Sequence, residues 1–150
     1  NALSVRLYGS LCLFEGTEIS VGRGTDFPFQ VVGYDDPVYG TFSYEPTEKA
    51  GMAKHVEGKG QTMYGLDLRG LNAADQKFTL EYVLDFYNKM PDKTKFFTRA
   101  AFFDKLAGTD ELRKQIIAGK TEQEIKDSWQ ADLAAYKLMR KQYLLYPDFK

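Results

Sequence analysis

The chain has 150 residues, 20 Lys plus Arg against 21 Asp plus Glu, and 11 Phe with 10 Tyr. A chain of that length can bury about 70% of its unfolded surface in one core, and so many aromatic residues exclude a disordered polymer. Near-neutral charge with scattered basic residues excludes the electrostatic footprint that nucleic acid or an anionic membrane surface requires, and no apolar run approaches the roughly 18 residues of a membrane span.

Val5 to Tyr8, Leu11 to Phe14 and Ile19 to Val21 open the chain as candidate strands, followed by Phe29 to Gly33, Thr41 to Tyr44 and Thr62 to Leu68. Gly9-Ser10, Glu15-Gly16, Gly22 to Gly24, Asp35-Asp36-Pro37 and Gly58 to Gly60 supply the turns between them. Past Asn72, a candidate cap, Leu80, Val83, Leu84 and Tyr87 recur at helical spacing until Pro91 stops the pattern. A second helix is predicted from Thr98 to Leu106, with Gly108 placed to end it in a left-handed cap; a third runs from Thr109 through Leu112, Ile116 and Ile117 to Gly119. Thr121-Glu122-Gln123-Glu124 has the form of a capping box, so a long helix should begin there. Its apolar face is Ile125, Trp129, Leu133, Tyr136 and Tyr143, and Tyr146-Pro147 ends it.

Strands first and helices after predict an α+β fold, with mixed or antiparallel strands and Gly-rich loops in the N-terminal half. The C-terminal half is then amphipathic helices ending in a long one, all within one domain over residues 1–150. A start at Asn1, with neither Met nor a signal-peptide core, leads us to expect a fragment with a signal or another domain upstream.

Chemistry concentrates in Leu11 to Thr17 and Ile19 to Thr25, where a carboxylate and a guanidinium each stand beside small residues after an apolar run. Loops of that kind carry polar groups on a rigid scaffold. Arg23, between Gly22 and Gly24, can grip an anionic group through two parallel hydrogen bonds, and Glu15 can accept from sugar hydroxyls or act as acid or base. The competing reading, favoured by spacing alone, is that the glycines only shape turns while Glu15 and Arg23 form a salt bridge or cap strand ends. Gly22-Arg23-Gly24 is no phosphate loop, because no Lys-Ser/Thr and no helix follow it, so no nucleotide is implied.

The other reactive residue types point to no further site. Cys12, the only cysteine, reads as a buried inert thiol in Leu11-Cys12-Leu13-Phe14. His55, the only histidine, reads as a solvated loop residue without companion ligands, so no metal and no cofactor is expected. Ser10, Ser20 and Ser43 lie in no nucleophile elbow. Phe27, Phe29, Tyr34, Tyr39, Phe42 and Tyr44 read mainly as core, with Tyr34 and Tyr39 the most exposed of them because they flank the Asp35-Asp36-Pro37 turn. Glu15 with Glu18, and Asp35 with Asp36, are sequence neighbours whose spatial separation the sequence does not reveal.

Leu11 to Thr17 (LCLFEGT), Ser20 to Thr25 (SVGRGT) and Pro28-Phe29-Gln30 resemble the signature of the exo-β-N-acetylmuramidases of peptidoglycan recycling. Gly65 to Leu68, Gly108 to Arg113 and the stretch from Ile125 to Tyr146, with Ser128-Trp129-Gln130 and Tyr143-Leu144-Leu145-Tyr146, resemble the C-terminal region of the same family. The resemblance implies a glycosidase that removes terminal N-acetylmuramic acid from cell-wall fragments. It also implies a Rossmann-like N-terminal domain before this region, as a partner, with the cleft between the two and the main catalytic glutamate outside this chain. The chain alone is then expected to be inactive, and the periplasm or cell exterior is the expected compartment. On this reading Glu15, Thr17, Arg23 and Thr25 are the substrate-binding candidates, with Arg23 opposite the lactyl carboxylate of N-acetylmuramic acid. A carbohydrate- or peptidoglycan-binding module without chemistry of its own is the alternative.

Overall fold

A computed structural model describes residues 1–51 and 56–148; His55 lies outside the described residues. The fold is α+β. The element order is α1 (Ala2–Leu11), β1 (Val31–Tyr34), β2 (Phe42–Tyr44), β3 (Met63–Asp67), α2 (Glu81–Lys89), α3 (Ala100–Ala107), α4 (Glu111–Ile117), α5 (Glu122–Ser128) and α6 (Gln130–Arg140), with short 3₁₀ turns between several of them.

The first departure from the sequence reading is α1, which replaces the expected strands at Val5 to Tyr8 and Leu11 to Phe14. The Asn1 side chain accepts from the Ser4 amide at 3.0 Å while the Ser4 hydroxyl donates to the Asn1 carbonyl, a reciprocal cap that starts a helix. Leu3, Leu7, Ser10 and Leu11 are the buried residues, a spacing of three and four that belongs to a helical stripe. Read over four residues, that stripe passes for alternation. Gly9-Ser10 is accordingly helix rather than turn, and Cys12–Gly16 continue as a 3₁₀ turn.

The sheet is antiparallel in the order β1-β3-β2. Val31 pairs with Asp67 and Tyr34 with Tyr64 on one side of β3, and Phe42 pairs with Gly65 and Tyr44 with Met63 on the other. The expected strand at Ile19 to Val21 survives only as an isolated bridge between Ser20 and Gly33. Alternation puts the two faces of β1 in different places. Val32 enters the main core with Leu7, Phe14, Phe86, Phe103 and Ile125, while Val31 joins Tyr44 and Met63 in a smaller cluster roofed by Phe27 and Phe42.

The helices close where their end residues allow. α2 stops before Pro91, and the Lys93 ammonium gathers the carbonyls of Tyr87, Asn88 and Met90 at 2.6 to 2.8 Å, satisfying acceptors that the helix leaves open. Asn72 caps a 3₁₀ turn at Ala73–Asp75 instead of α2. α3 ends at Gly108 in a left-handed conformation, φ 77°, and the Thr109 hydroxyl accepts from the Glu111 amide at the start of α4. The Thr121–Glu124 capping box is present in both directions.

The single long helix expected after it is instead two, because the Ser128 hydroxyl donates to the Ile125 carbonyl at 2.7 Å and takes the acceptor that the Trp129 amide would use. That amide reaches Lys126 instead. Ile125 is fully buried, whereas α6 has no buried residue. Among the described residues no helix is long and apolar enough to cross a membrane.

Candidate functional site

Glu15 and Arg23 reach each other because two loops are held rigidly beneath them. The Glu15 loop is pinned by α3. An added Cβ on Gly16 would lie 2.6 Å from Phe103 Cβ and 2.8 Å from its Cα, so only glycine allows this approach. The Arg99 amide donates to the Gly16 carbonyl at 3.0 Å, and the Arg99 guanidinium donates to the Thr17 carbonyl at 2.7 Å and to Glu57 at 2.8 Å. The Thr17 hydroxyl, fully buried, donates to the Phe14 carbonyl and accepts from the Ile19 amide.

The Arg23 loop is held from the sheet side. Ser20 and Gly33 exchange both backbone hydrogen bonds, at 2.8 and 2.9 Å. Gly24 has φ 82° and lies against Thr47, whose carbonyl oxygen would stand 2.5 Å from an added Cβ. The buried Thr25 hydroxyl donates to the Gly22 carbonyl at 2.6 Å and accepts from the Phe27 amide at 3.1 Å. Phe29 has a positive φ of 58°, the one such residue other than glycine among the described residues. A bulky residue in that region is strained, and such strain collects at functional sites.

On this base an Arg23 Nη donates to Glu15 Oε1 at 3.0 Å, the two side chains being 32% and 21% exposed. The guanidinium lies 4.9 Å from the centroid of the Phe29 ring, and the Tyr8 ring packs against Phe29 with 4.8 Å between centroids. Two of the four candidates, Glu15 and Arg23, are therefore brought together at a partly exposed rim. Thr17 and Thr25 face inward with their hydroxyls committed to the backbone, and in this arrangement they shape the loops rather than face a ligand.

Cys12 is half-buried rather than buried. Burial, with the Glu15 carboxylate adding to it, pushes its thiol above the ordinary value. A poorly ionised thiol is a weak nucleophile.

A second concavity, a cleft of about 330 Å³, is lined by Glu18, Tyr34, Asp35, Glu57, Gln61 and Met63. Burial, then Asp35 and Glu18, push the Tyr34 phenol up. The sequence paired Glu18 with Glu15 and Asp35 with Asp36, and so missed that Glu18 and Asp35 share a cleft. Continuing the antiparallel Ser20–Gly33 bridge by two residues sets position 18 opposite position 35, a register that the folded chain reveals and no local sequence pattern encodes.

Tyr39, expected to be exposed, is completely buried. The Pro37–Tyr39 3₁₀ turn folds its ring to 4.8 Å from Phe86, stacked, and 5.4 Å from Tyr34. Its hydroxyl has no hydrogen-bond partner among the described residues, and burial, helped by Tyr34 and nearby aspartates, pushes it up to about 12. Among the described residues no group of three His, Cys, Asp or Glu side chains is placed to hold a metal ion.

Residues 6–146 match the family model for the C-terminal part of the exo-β-N-acetylmuramidase NamZ. The peptidoglycan β-N-acetylmuramidase NamZ of Bacillus subtilis (strain 168) is 28% identical over 162 residues, covering 95% of this chain and 37% of its own length. A crystal structure of the DUF1343 family protein BF0379 from Bacteroides fragilis NCTC 9343 superposes with a TM-score of 0.85 at 38% identity, over 97% of this chain and 41% of that one. The DUF1343 family protein BF0371 of the same organism shares the fold, with a TM-score of 0.70 at 15% identity over 95% of this chain and 42% of that one. The chain thus spans about two fifths of the length of these relatives.

Proposed function

Since the chain belongs to the family formed by the C-terminal part of the exo-β-N-acetylmuramidase NamZ, we propose that it is the C-terminal part of a glycoside hydrolase acting on peptidoglycan fragments. The substrate proposed is a terminal N-acetylmuramic acid, whose lactyl group carries a carboxylate. The observation that carries the residue assignment is the Glu15–Arg23 pair, partly exposed and backed by Phe29. A guanidinium already oriented by a carboxylate and an aromatic face loses little freedom when it binds a second carboxylate in plane. Arg23 is proposed to take the lactyl carboxylate and Glu15 to keep Arg23 in place while accepting from a sugar hydroxyl. Thr17 and Thr25, proposed from sequence to touch substrate, now serve by fixing the two loops.

The main catalytic carboxylate is proposed to lie in a Rossmann-like region preceding this one in the full protein, with the cleft between them, and the compartment to be the periplasm or cell exterior. The test is release of a chromogenic group from a β-N-acetylmuramide by this chain alone and by the chain extended with its upstream region. Turnover only by the extended protein is the expected result. A folded extended protein that binds the sugar and never cleaves it would replace the glycosidase with a carbohydrate-binding module.

A further inference from the structure

A concavity larger than the cleft at Glu18 and Asp35 opens between α1 and α6. A groove of about 1100 Å³ is lined by Cys12, Phe78, Leu106, Leu112, Trp129 and Leu133, among others. Its outer wall is α6. Leu133, Tyr136 and Met139 follow one another at three-residue steps along that helix and are 40%, 54% and 47% exposed. An isolated helix shorter than about 12 to 15 residues is marginal in water, and α6 has 11 residues with none buried. A helix of that length, carrying such an apolar face, needs a cover.

The uncovered surface continues onto α1. Val5 is 74% and Tyr8 47% exposed, and with Gly9 and Cys12, which line the groove, they form a stripe at helical spacing from the start of α1 to the groove. In the relatives, this chain corresponds to 37% and 41% of the polypeptide, and the matching family is the C-terminal part. On the proposed reading of this chain as the C-terminal part of a longer protein, the remainder would join at the beginning of α1, whose 10 residues span about 15 Å. A tethered segment that close has an effective concentration on the order of millimolar, which favours it over a second copy.

We propose that the α6 face, the groove and the α1 stripe are the surface on which the preceding part of the full-length protein docks. The inference rests on the reading of this chain as the C-terminal part of a longer protein, and it adds which face is covered.

The test is hydrogen exchange in the full-length protein. The α6 amides are expected to be protected at least about 100-fold over free-chain rates, independently of dilution. Leu133→Ser with Tyr136→Ser should lower that protection tenfold or more and also expose a segment outside residues 1–150. Leu138→Ser, a 67% exposed position on another side of the helix, should change neither, and unchanged protection of α2 and α3 shows that the variants fold.

Free exchange of α6 in the wild type overturns the proposal. So does protection that disappears on dilution, which assigns the face to a second copy, and so does a double variant that exposes only residues within 1–150. Hydrolysis assayed on the same samples separates the two readings: an active enzyme with an unprotected α6 refutes the docking alone, and a protected α6 in an inactive protein refutes the glycosidase alone.

Discussion

At the scale of single residues, Arg23 and Gly16 separate chemistry from architecture. Lysine at position 23 keeps the charge and loses the planar fork, so Arg23→Lys in the extended protein should weaken muramic-acid binding about 10- to 100-fold with the melting temperature little changed. Unchanged affinity by calorimetry would remove Arg23 from the carboxylate role. Gly16→Ala should do the opposite. It drives a methyl group into the backbone of Phe103, and forced repacking of that kind costs about 1 to 3 kcal/mol, readable in the urea midpoint. The sequence marked Gly16 as a turn glycine, and nothing near it hinted otherwise, because the reason for it is a helix far along the chain. Glu15 and Arg23 were legible as a pair, even as the salt bridge that spacing favoured. Thr17 and Thr25 were legible as members of the loops, but not as inward-facing, since that depends on how each loop folds back so that its hydroxyl meets the backbone of Phe14 and Ile19 or of Gly22 and Phe27.

At the scale of elements, Glu122 ties α5 to the start of α2. Its carboxylate accepts from the Leu80 amide, the Thr79 hydroxyl and the Lys126 ammonium. Burial alone would raise its pKa, but Lys126, the Leu80 amide and Thr79 together hold it below the ordinary carboxylate value. With the folded value depressed, the unfolded chain binds more protons between the two values. The stabilisation is therefore complete above the ordinary value of 4.5 and is lost as pH falls through the lower folded one. Glu122→Gln should cost about 1.5 to 3 kcal/mol at neutral pH, as loss of a charged hydrogen-bonding group does. The gap between wild type and variant should close on acidification, in denaturation curves taken from about pH 6 down to about pH 3. A gap independent of pH would assign the cost to shape instead of charge. Local signals gave α3, α4 and the capping box correctly, because glycine caps and Thr-Glu boxes act within one turn. They failed at α1, where a helical stripe was cut into short windows, and at Ser128, where one hydroxyl diverted the carbonyl that would have continued the helix.

At the scale of the molecule, the strand-rich first half and the helical second half share one core. Phe86 of α2 is fully buried, 5.4 Å from Phe14 and 4.8 Å from Tyr39, so the two halves meet on its ring. Phe86→Ala should cost about 3 to 5 kcal/mol, and calorimetry should show one transition lowered as a whole. Two separated transitions would mean that the halves unfold independently. The α+β class was legible because the composition shifts along the chain and strand and helix periods differ. The sheet order was not, since β3 inserts between β1 and β2 through pairings that no local pattern encodes.

Trp129 gives this architecture an optical consequence. It is the one tryptophan in the chain, it stands at the break between α5 and α6, and its ring lies 6.3 Å from Phe78 in the wall of the groove. Indole emission shifts to the blue and resists acrylamide quenching when water leaves its surroundings. The chain therefore carries its own fluorophore at the place where a cover would sit, and the colour of its light registers whether the groove is wet or dry.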